Sequence, residues 1–262
     1  MFIIGDRINP SGKPDLARAI REGKKTLIQQ EAIQQERAGA QALDVNVFLP
    51  DVERIQAMRI VVEGVRAVSE LPLAIDDRDP ETVEIGVSRA GRDSWINSPM
   101  DVLEPESKMV SLALRFQSGV LCLPLKQGRI PGTPKEHLEM SRAVVKHLTA
   151  SGLNRDRIMV DAVLLALKSA GDKVLNTLET IRLLKSELSV RVVMGLSNLS
   201  YGLKRREELN ARFLHLAKAA GLDAAILNPL EKKVMAVATG QTDRESETTP
   251  GEFLEFAEAC WA

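Results

Sequence analysis

Hydrophobic and polar positions alternate along this chain with two different periods. Short apolar runs rich in β-branched residues predict strands, and the segments between them repeat apolar residues at helical spacing, as in Leu27–Arg37, Val52–Val68 and Lys173–Leu188. The runs are almost continuously apolar, which indicates strands covered on both faces and therefore parallel pairing. The predicted strands are Phe2–Gly5, Ala42–Val47, Leu73–Asp76, Ser94–Asn97, Val120–Leu125, Ile158–Asp161, Val190–Leu196 and Ala224–Leu227.

This succession of strand–helix units predicts an α/β fold, a single (β/α)8 TIM barrel spanning residues 1–262. The length of 262 residues is close to the roughly 250 typical of that barrel. An open, doubly wound sheet has the same alternation, but eight units and the lack of G-x-G-x-x-G after the first strand favour closure. The polar stretch Gly240–Gly251 predicts a mobile surface loop, and Glu252–Trp261 predicts a short last helix.

Composition narrows the class of protein. Lys and Arg total 35 against 36 Asp and Glu, so the net charge of −1 gives no electrostatic reason to expect nucleic-acid binding. We expect no membrane span, because no apolar run approaches the roughly 18–20 residues that one needs. The first residues lack the pattern of a signal peptide, and Cys122 and Cys260 suit a reducing compartment, so we expect a cytoplasmic protein without a structural disulfide. His137, His147 and His215 fall in helical segments without ligand spacing, and we expect no metal site.

Polar side chains follow nearly every predicted strand. In barrels of this kind the chemistry lies at the carboxyl ends of the strands, so these side chains should meet at one rim. The rim is rich in carboxylates and carboxamides and almost without His, Cys or strand-end Lys. Its residues are Asp6, Arg7, Asn9, Asp44, Asn46, Asp76, Asp77, Arg78, Asn97, Ser98, Asp161, Ser197, Asn198, Ser200 and Asn228.

This rim suits a flat heterocycle with an amide-like edge. A carboxylate can accept two parallel hydrogen bonds from adjacent N–H groups, and Asp161 is placed for that role, with Asp76 and Asn97 completing the edge. The alternative is structural, because an Asp at a strand end is often the N-cap of the next helix. We favour the capping interpretation for three residues. For Asp44 and Asn46, a ligand contact and a structural role in orienting loops are equally favoured. The residues with the capping interpretation are Asp77, Asp79 and Asp101.

Seven sequence blocks resemble a known family. They are IIGDRIN at Ile3–Asn9, ALDVNV at Ala42–Val47, AIDD at Ala74–Asp77, INS at Ile96–Ser98, IMVDAVLL at Ile158–Leu165, GLSNLSYGLKRR at Gly195–Arg206 and AGLDAAILNPL at Ala220–Leu230. In this order they resemble the pterin-binding methyltransferases, namely the methyltetrahydrofolate:corrinoid protein methyltransferases and the folate domain of cobalamin-dependent methionine synthase.

The resemblance implies roles for individual residues. Asp76, Asn97 and Asp161 match residues that hydrogen-bond the pterin ring, and Asn198 matches the carboxamide that reaches N5. Of these, Asn198, Asp161 and Asp76 are the expected catalytic residues. The remaining expected substrate contacts are Asp6, Arg7, Asp44, Asn46, Tyr201 and Arg206. The chain departs from the family pattern at Asp6, where Glu is common, at Asp77, where Ser is usual, at Tyr201, where Gln or Phe is common, and at Leu125–Gln127.

The implied reaction moves the N5-methyl group between methyltetrahydrofolate and the cobalt of a corrinoid protein. N5 is then activated by protonation or hydrogen bonding, the cobalamin belongs to the partner, and a homodimer is expected. Three alternatives stay open: a dihydropteroate synthase, a Schiff-base aldolase and a folate-binding subunit without catalysis. The synthase would need a Lys in the turn that here reads Ser197–Ser200, and the aldolase a Lys where Asp161 stands. The basic run Lys204–Arg206 fits either a solvated helix start or a contact to the glutamate tail of folate.

Overall fold

The strands form a closed barrel in the order β1 to β8, which confirms the predicted (β/α)8 fold. A computed structural model describes residues 1–91, 93–99, 102–104, 106–125, 128–241 and 245–261. The strands are β1 (Phe2–Ile8), β2 (Ala42–Asn46), β3 (Leu73–Asp76), β4 (Trp95–Asn97), β5 (Gly119–Cys122), β6 (Ile158–Asp161), β7 (Arg191–Gly195) and β8 (Ala224–Leu227).

Helices follow the strands along the chain. Within the described residues they are α1 (Pro14–Arg21), α2 (Lys25–Arg37), α3 (Arg54–Arg66), α4 (Pro80–Ala90), α5 (Lys108–Phe116), α6 (Pro134–Ala150), α7 (Leu167–Ala170), α8 (Asn176–Leu183), α9 (Arg206–Ala219), α10 (Lys232–Thr239) and α11 (Pro250–Glu258). Short 3₁₀ turns occur at Arg155–Arg157, Gly171–Leu175 and Leu196–Asn198. No described helix combines the length and the apolar character that crossing a membrane requires.

The first and fifth strands differ from their predicted bounds. β1 continues through Asp6 and Arg7 to Ile8, which pairs with Val45 of β2 after a shift in register. Gln35 of α2 approaches this part of the strand and accepts a hydrogen bond from the Arg7 backbone N–H at 2.9 Å. Gly5 permits that approach, since a Cβ there would lie 2.3 Å from the Gln35 Oε1. β5 ends at Cys122 instead of the predicted Leu125, and Pro124 just beyond it has no N–H with which to extend a ladder.

Two helical predictions also change in detail. The segment predicted as one helix, Lys173–Leu188, contains a 3₁₀ turn, then α8, then a π-helical turn at Leu184–Leu188. The last helix begins at Pro250, where Thr249 and Glu252 form a capping box, so the end of the predicted Gly240–Gly251 loop is helical. Residues 242–244 of that loop lie outside the described residues, and its mobility stays a prediction.

Contacts divide the chain into two compact units. The N-terminal unit comprises residues 4–123 and 143–159, and the C-terminal unit comprises residues 1–3, 124–142 and 160–262. Each has its own apolar core: Leu43, Ile75 and Ile96 are fully buried in the first, and Phe213 packs edge-on against Phe253 at 5.3 Å in the second. A single domain over residues 1–262 stays a prediction.

Candidate functional site

In the N-terminal unit, Asn46 and Asp76 stand opposite each other at the ends of neighbouring strands. They are register partners between β2 and β3, and the Asn46 Nδ2 donates to the Asp76 Oδ2 at 2.9 Å. The Asn46 Oδ1 accepts from the Phe48 backbone N–H, also at 2.9 Å. Asn46 therefore holds the Asp76 carboxylate and orients the loop after β2 at the same time.

A second carboxylate–carboxamide pair spans a greater distance in sequence. The Asn97 Nδ2 on β4 donates to the Asp44 Oδ1 on β2 at 2.7 Å, and both residues are buried. Asp76 is also the register partner of Asn97, so Asp44, Asn46, Asp76 and Asn97 form one group, called here the strand-end cluster. The structure thus brings together the four residues of strands two, three and four that the sequence predicts as ligand contacts.

Burial shapes the protonation of this cluster. Burial raises the pKa of Asp44 well above its ordinary value, the nearby charge of Asp76 raises it further, and the hydrogen bond from Asn97 opposes the shift. The pKa of Asp76 is also raised, first by burial, while the hydrogen bond from Asn46 lowers it. The cluster therefore retains a proton at higher pH than two surface carboxyls would.

A lysine lies at the end of β1, on a rim predicted to be almost without strand-end lysine. The Lys13 Nζ donates to the backbone oxygens of Arg7 at 3.0 Å and Asp6 at 3.4 Å. Burial lowers the pKa of Lys13, while the charges of Asp6 and Asp44 act in the opposite direction. The sequence could have indicated this position of Lys13, because it follows the turn-forming residues that begin at Asn9. The turn Asn9–Pro14 folds the chain back onto the end of β1.

Arg7 makes a contact that the sequence pattern did not predict. Its Nε and Nη2 donate to the two carboxylate oxygens of Glu31 on α2, at 2.5 and 2.7 Å. This two-point ion pair ties β1 to α2, and the Asp6 oxygen that binds Lys13 is a backbone atom. Ligand contacts by the Asp6 and Arg7 side chains stay predictions.

The acidic run after β3 separates into different roles. Asp79 is the N-cap of α4 and accepts from the Thr82 N–H, which confirms the capping interpretation for that residue. For Asp77 that interpretation is wrong: its side chain is buried, bonds Arg54 at 2.9 Å and accepts from the Asp79 N–H. Asp101 lies outside the described residues, as do Lys126 and Gln127 of the expected departure at strand five.

A cavity of about 420 Å³ opens beside the strand-end cluster within the N-terminal unit. Its volume lies in the range usual for small-molecule sites. The wall combines acidic, amide, basic and aromatic groups. The lining residues are Asn9, Ser11, Asn46, Phe48, Arg54, Asp76, Asp77, Arg78, Ser98 and Leu123.

In the C-terminal unit, Asp161 ends β6 in a buried setting. Its Oδ1 accepts from the Val163 N–H at 2.8 Å, and Val163 adopts a left-handed backbone with φ of 54°. Burial raises the pKa of Asp161 to about 6, and the Val163 hydrogen bond opposes that shift. Asp161 is not the N-cap of α7, which begins after Ala166.

The turn after β7 presents Asn198 on its exposed side. Asn198 ends the 3₁₀ turn, and a Cβ on Gly195 would lie 2.9 Å from its Nδ2, so glycine leaves the space that the carboxamide needs. Arg206 fixes the turn: its Nε donates to the Ser200 Oγ at 3.1 Å and its Nη2 to the Ser197 backbone oxygen at 3.3 Å. Tyr201, which follows the turn, is 64% exposed.

Comparison with known proteins identifies the family. The sequence profile of the family described as pterin binding enzyme matches residues 5–228. The chain belongs to the pterin-binding enzyme family. The matched range includes every residue predicted for the site, and the predicted resemblance is confirmed.

Two curated relatives and one solved structure illustrate the similarity of this pterin-binding enzyme. It is 28% identical over 244 residues to the methylcorrinoid:tetrahydrofolate methyltransferase of Eubacterium limosum, covering 90% of this chain and 88% of that protein. It is 27% identical to the methionine synthase of Mycobacterium tuberculosis over 87% of this chain, which spans only 20% of that larger protein. The dihydropteroate synthase of Xanthomonas albilineans in complex with 7,8-dihydropteroate superposes with a TM-score of 0.69, covering 92% of each chain at 18% identity, which shows a common fold.

The histidines of the pterin-binding enzyme lie in helices, as predicted. His137 and His147 belong to α6 and His215 to α9. His137 is buried, and burial lowers its pKa to about 4. Among the described residues, no group of three or more His, Cys, Asp or Glu side chains could hold a metal ion.

Proposed function

We propose that this pterin-binding enzyme moves the N5-methyl group between methyltetrahydrofolate and the cobalt of a corrinoid protein. The observation that carries the proposal is the turn after β7, where a carboxamide, Asn198, stands over Gly195 and the turn Ser197–Ser200 contains no lysine. A synthase that expels pyrophosphate needs a cation there, whereas N5 of a folate needs a hydrogen-bonding partner. The near full-length similarity to the E. limosum methyltransferase supports the same choice.

Binding of the pterin is assigned to carboxylates and one carboxamide. Asp161 would accept two parallel hydrogen bonds from the 2-amino group and the N3–H, and Asp76 with Asn97 would complete the contacts to the ring edge. Their chemistry supports this, since all three are acceptors and Asn97 is also a donor. Charge-assisted bonds of this kind contribute about 1.5–3 kcal/mol each where buried.

Methyl transfer requires N5 to leave as a neutral amine. Cobalt(I) attacks the methyl carbon, the C–N electron pair returns to N5, and a proton on N5 keeps tetrahydrofolate uncharged there. The Asn198 carboxamide has no acidic proton at neutral pH, so it would accept from the N5–H and stabilise that protonated form. The proton itself would come from solvent or from the carboxyls of the strand-end cluster. General-acid assistance is typically worth about 10²–10⁴-fold.

A corrinoid protein is the proposed partner, and it must bring its cobalt to the ends of the strands. Exposed apolar side chains support a docking role for this face within the C-terminal unit. Ile130, Leu165, Tyr201 and Leu230 follow β5, β6, β7 and β8 respectively, and all are 38–64% exposed. A homodimer is also proposed, and sedimentation would test it.

The test is methyl transfer from methyltetrahydrofolate to free cob(I)alamin, monitored by the loss of the cobalt(I) absorption. We expect turnover with the wild type. Asn198→Ala should lower the transfer rate about 10²-fold or more while folate affinity changes less than about threefold. Equal losses in both quantities would contradict the role given to Asn198.

Two other outcomes would replace the proposal. Folate binding with an unchanged cobalt(I) spectrum would indicate a non-catalytic binding protein. Formation of dihydropteroate from a hydroxymethylpterin pyrophosphate and aminobenzoate would indicate a synthase. Both assays use the full chain and the same preparation.

A further inference from the structure

We infer that the cavity beside the strand-end cluster is the subsite for the tail of the folate, with Phe48 against the aminobenzoyl ring and Arg78 against the glutamate carboxylates. This inference rests on the proposed function, since it names how one end of that substrate is held. The pterin contacts proposed above involve Asp76, which lies in the wall of this same cavity.

Phe48 is an aromatic ring left in solvent at a fixed place. It is 64% exposed, yet its backbone N–H is held by the Asn46 Oδ1 at 2.9 Å, directly beside Asp76. Phe48 and Asp76 line the same cavity, so the aminobenzoyl ring of a folate whose pterin is held at Asp76 would have Phe48 within its reach. Two aromatic rings attract each other beyond the effect of the area that they bury.

The charges around the cavity favour an anionic group at the side of Arg78. Arg54 bonds Asp77, whose side chain is only 2% exposed, so these two opposite charges balance each other. Arg78 is exposed, and its charge lowers the pKa of Asp76 against the larger effect of burial, which raises it. The glutamate tail of a folate carries at least two carboxylates, and guanidinium groups bind carboxylates with paired hydrogen bonds.

The basic run after β7 is less available for this task. Arg205 pairs with Glu208 and lies over the Phe256 ring, and Arg206 bonds Ser197 and Ser200. Both guanidinium groups hold local structure of the C-terminal unit. The sequence offered Lys204–Arg206 for the glutamate tail, and because the two arginines of that run hold local structure, the tail is assigned to Arg78 instead.

The experiment compares three ligands by equilibrium binding. They are methyltetrahydrofolate, its triglutamate form and 5,6-dimethyltetrahydropterin, which has no tail. For the wild type we expect affinity to fall from the triglutamate to the monoglutamate and then to the tailless ligand. The difference in affinity between tailed and tailless ligands should shrink as the salt concentration rises. Arg78→Gln should weaken the binding of methyltetrahydrofolate about tenfold and that of the triglutamate by more. The affinity for the tailless pterin should change less than twofold.

Further variants sharpen the comparison. Arg78→Lys should retain part of the preference, because it keeps the charge without the paired donors. Phe48→Ala should weaken both tailed ligands and leave the tailless one unchanged. Arg115→Gln is the control: Arg115 is exposed, pairs with Glu84 on the neighbouring helix and does not line the cavity.

The outcomes separate this inference from the proposed function. Equal loss on all three ligands in Arg78→Gln would show that Arg78 acts through Asp76, and unchanged affinities would place the tail elsewhere. Either result overturns the tail subsite while methyl transfer by the wild type still supports the methyltransferase. If the wild type binds none of the three ligands, the proposed function fails first.

Discussion

The burial of Asp161 and its hydrogen bond from the Val163 N–H favour different protonation states of its carboxyl group. Burial raises its pKa to about 6, whereas the Val163 N–H stabilises the ionised form. Its proposed partner is the pterin edge, which offers two N–H donors and so requires the ionised carboxylate. Binding and proton release are therefore linked at this residue.

Pterin affinity should consequently depend on pH through Asp161. Because its pKa in the free protein is about 6, affinity should be low below pH 6, rise as pH increases through 6, and level off near pH 7. Calorimetric titration at pH 5–8, in buffers of different ionisation enthalpy, measures both affinity and released protons. Asp161→Asn should bind at least about tenfold more weakly at pH 7.5 and lose this component of the pH dependence. A parallel pH profile in the variant would contradict the assignment.

The residue scale also shows how far the chain alone could be interpreted. Strand-end patterning predicted that Asp76 and Asn97 lie together, and they are register partners at the ends of β3 and β4, because neighbouring parallel strands end at one edge. Their contact with a ligand stays a prediction. The patterning could not reveal the hydrogen bond between Asp44 and Asn97, since their 53-residue separation is closed only by the register of three strands. It also gave Asp77 the role of a helix cap, because local sequence does not show that Arg54 of α3 reaches back to that carboxylate.

At the scale of elements, β1 and α2 are joined by a polar contact. The Arg7 guanidinium binds Glu31 by two hydrogen bonds, and both side chains are largely buried, at 23% and 11% exposure. Gln35 fixes the same strand through its backbone. Two roles for Arg7 can be distinguished by mutation. A residue of the ligand site would affect folate affinity, whereas a residue in a strand–helix contact would affect stability.

We expect Arg7→Ala to lower the free energy of unfolding by about 2–4 kcal/mol, because it leaves Glu31 without its partner in a mostly buried place. Denaturant unfolding measures this loss. Folate affinity of the protein that remains folded should change less than about threefold. A matched control is Arg18→Ala, where an exposed pair with Asp15 is worth roughly 0–1 kcal/mol. A large loss of affinity with unchanged stability would return Arg7 to the ligand site.

Elements were predictable in number and order but less so at their ends. Apolar runs located all eight strands, because burial on both faces demands them. The end of β1 was missed because Asp6 and Arg7 are polar and interrupt the apolar run, and the local sequence does not show that Ile8 pairs with Val45 of β2. The long helix near residue 180 was overestimated because helical periodicity does not distinguish α8 from the π-turn that follows it.

At the scale of the whole molecule, the proposed reaction needs a second protein. Leu165 follows β6 on a loop and is 41% exposed, and Leu114 on α5 is equally exposed but is not on a loop that follows a strand. The two leucines therefore allow a matched comparison. Exposed apolar side chains at an interface contribute most when the partner covers them.

Leu165→Asp should reduce methyl transfer with a corrinoid protein at least about tenfold, chiefly through a higher KM, because a charge would be desolvated on docking. Transfer to free cobalamin should be unaffected, since no docking surface is needed. Leu114→Asp should leave both reactions near wild type. Steady-state assays with the two acceptors provide the measurement, and equal loss with both acceptors would remove Leu165 from the proposed interface.

Both cysteine thiols are buried, Cys122 within β5 and Cys260 just after α11. Burial raises the pKa of each thiol, and only the thiolate attacks disulfide reagents. Labelling by Ellman's reagent must therefore wait for an opening. Cys260 needs only a local opening of the segment after α11, whereas Cys122 needs a barrel strand to separate. We expect a fast phase of labelling at Cys260 and a slow phase at Cys122, and the slow phase should accelerate in urea. One reagent would then measure the rates of a local and of a global opening of the native enzyme.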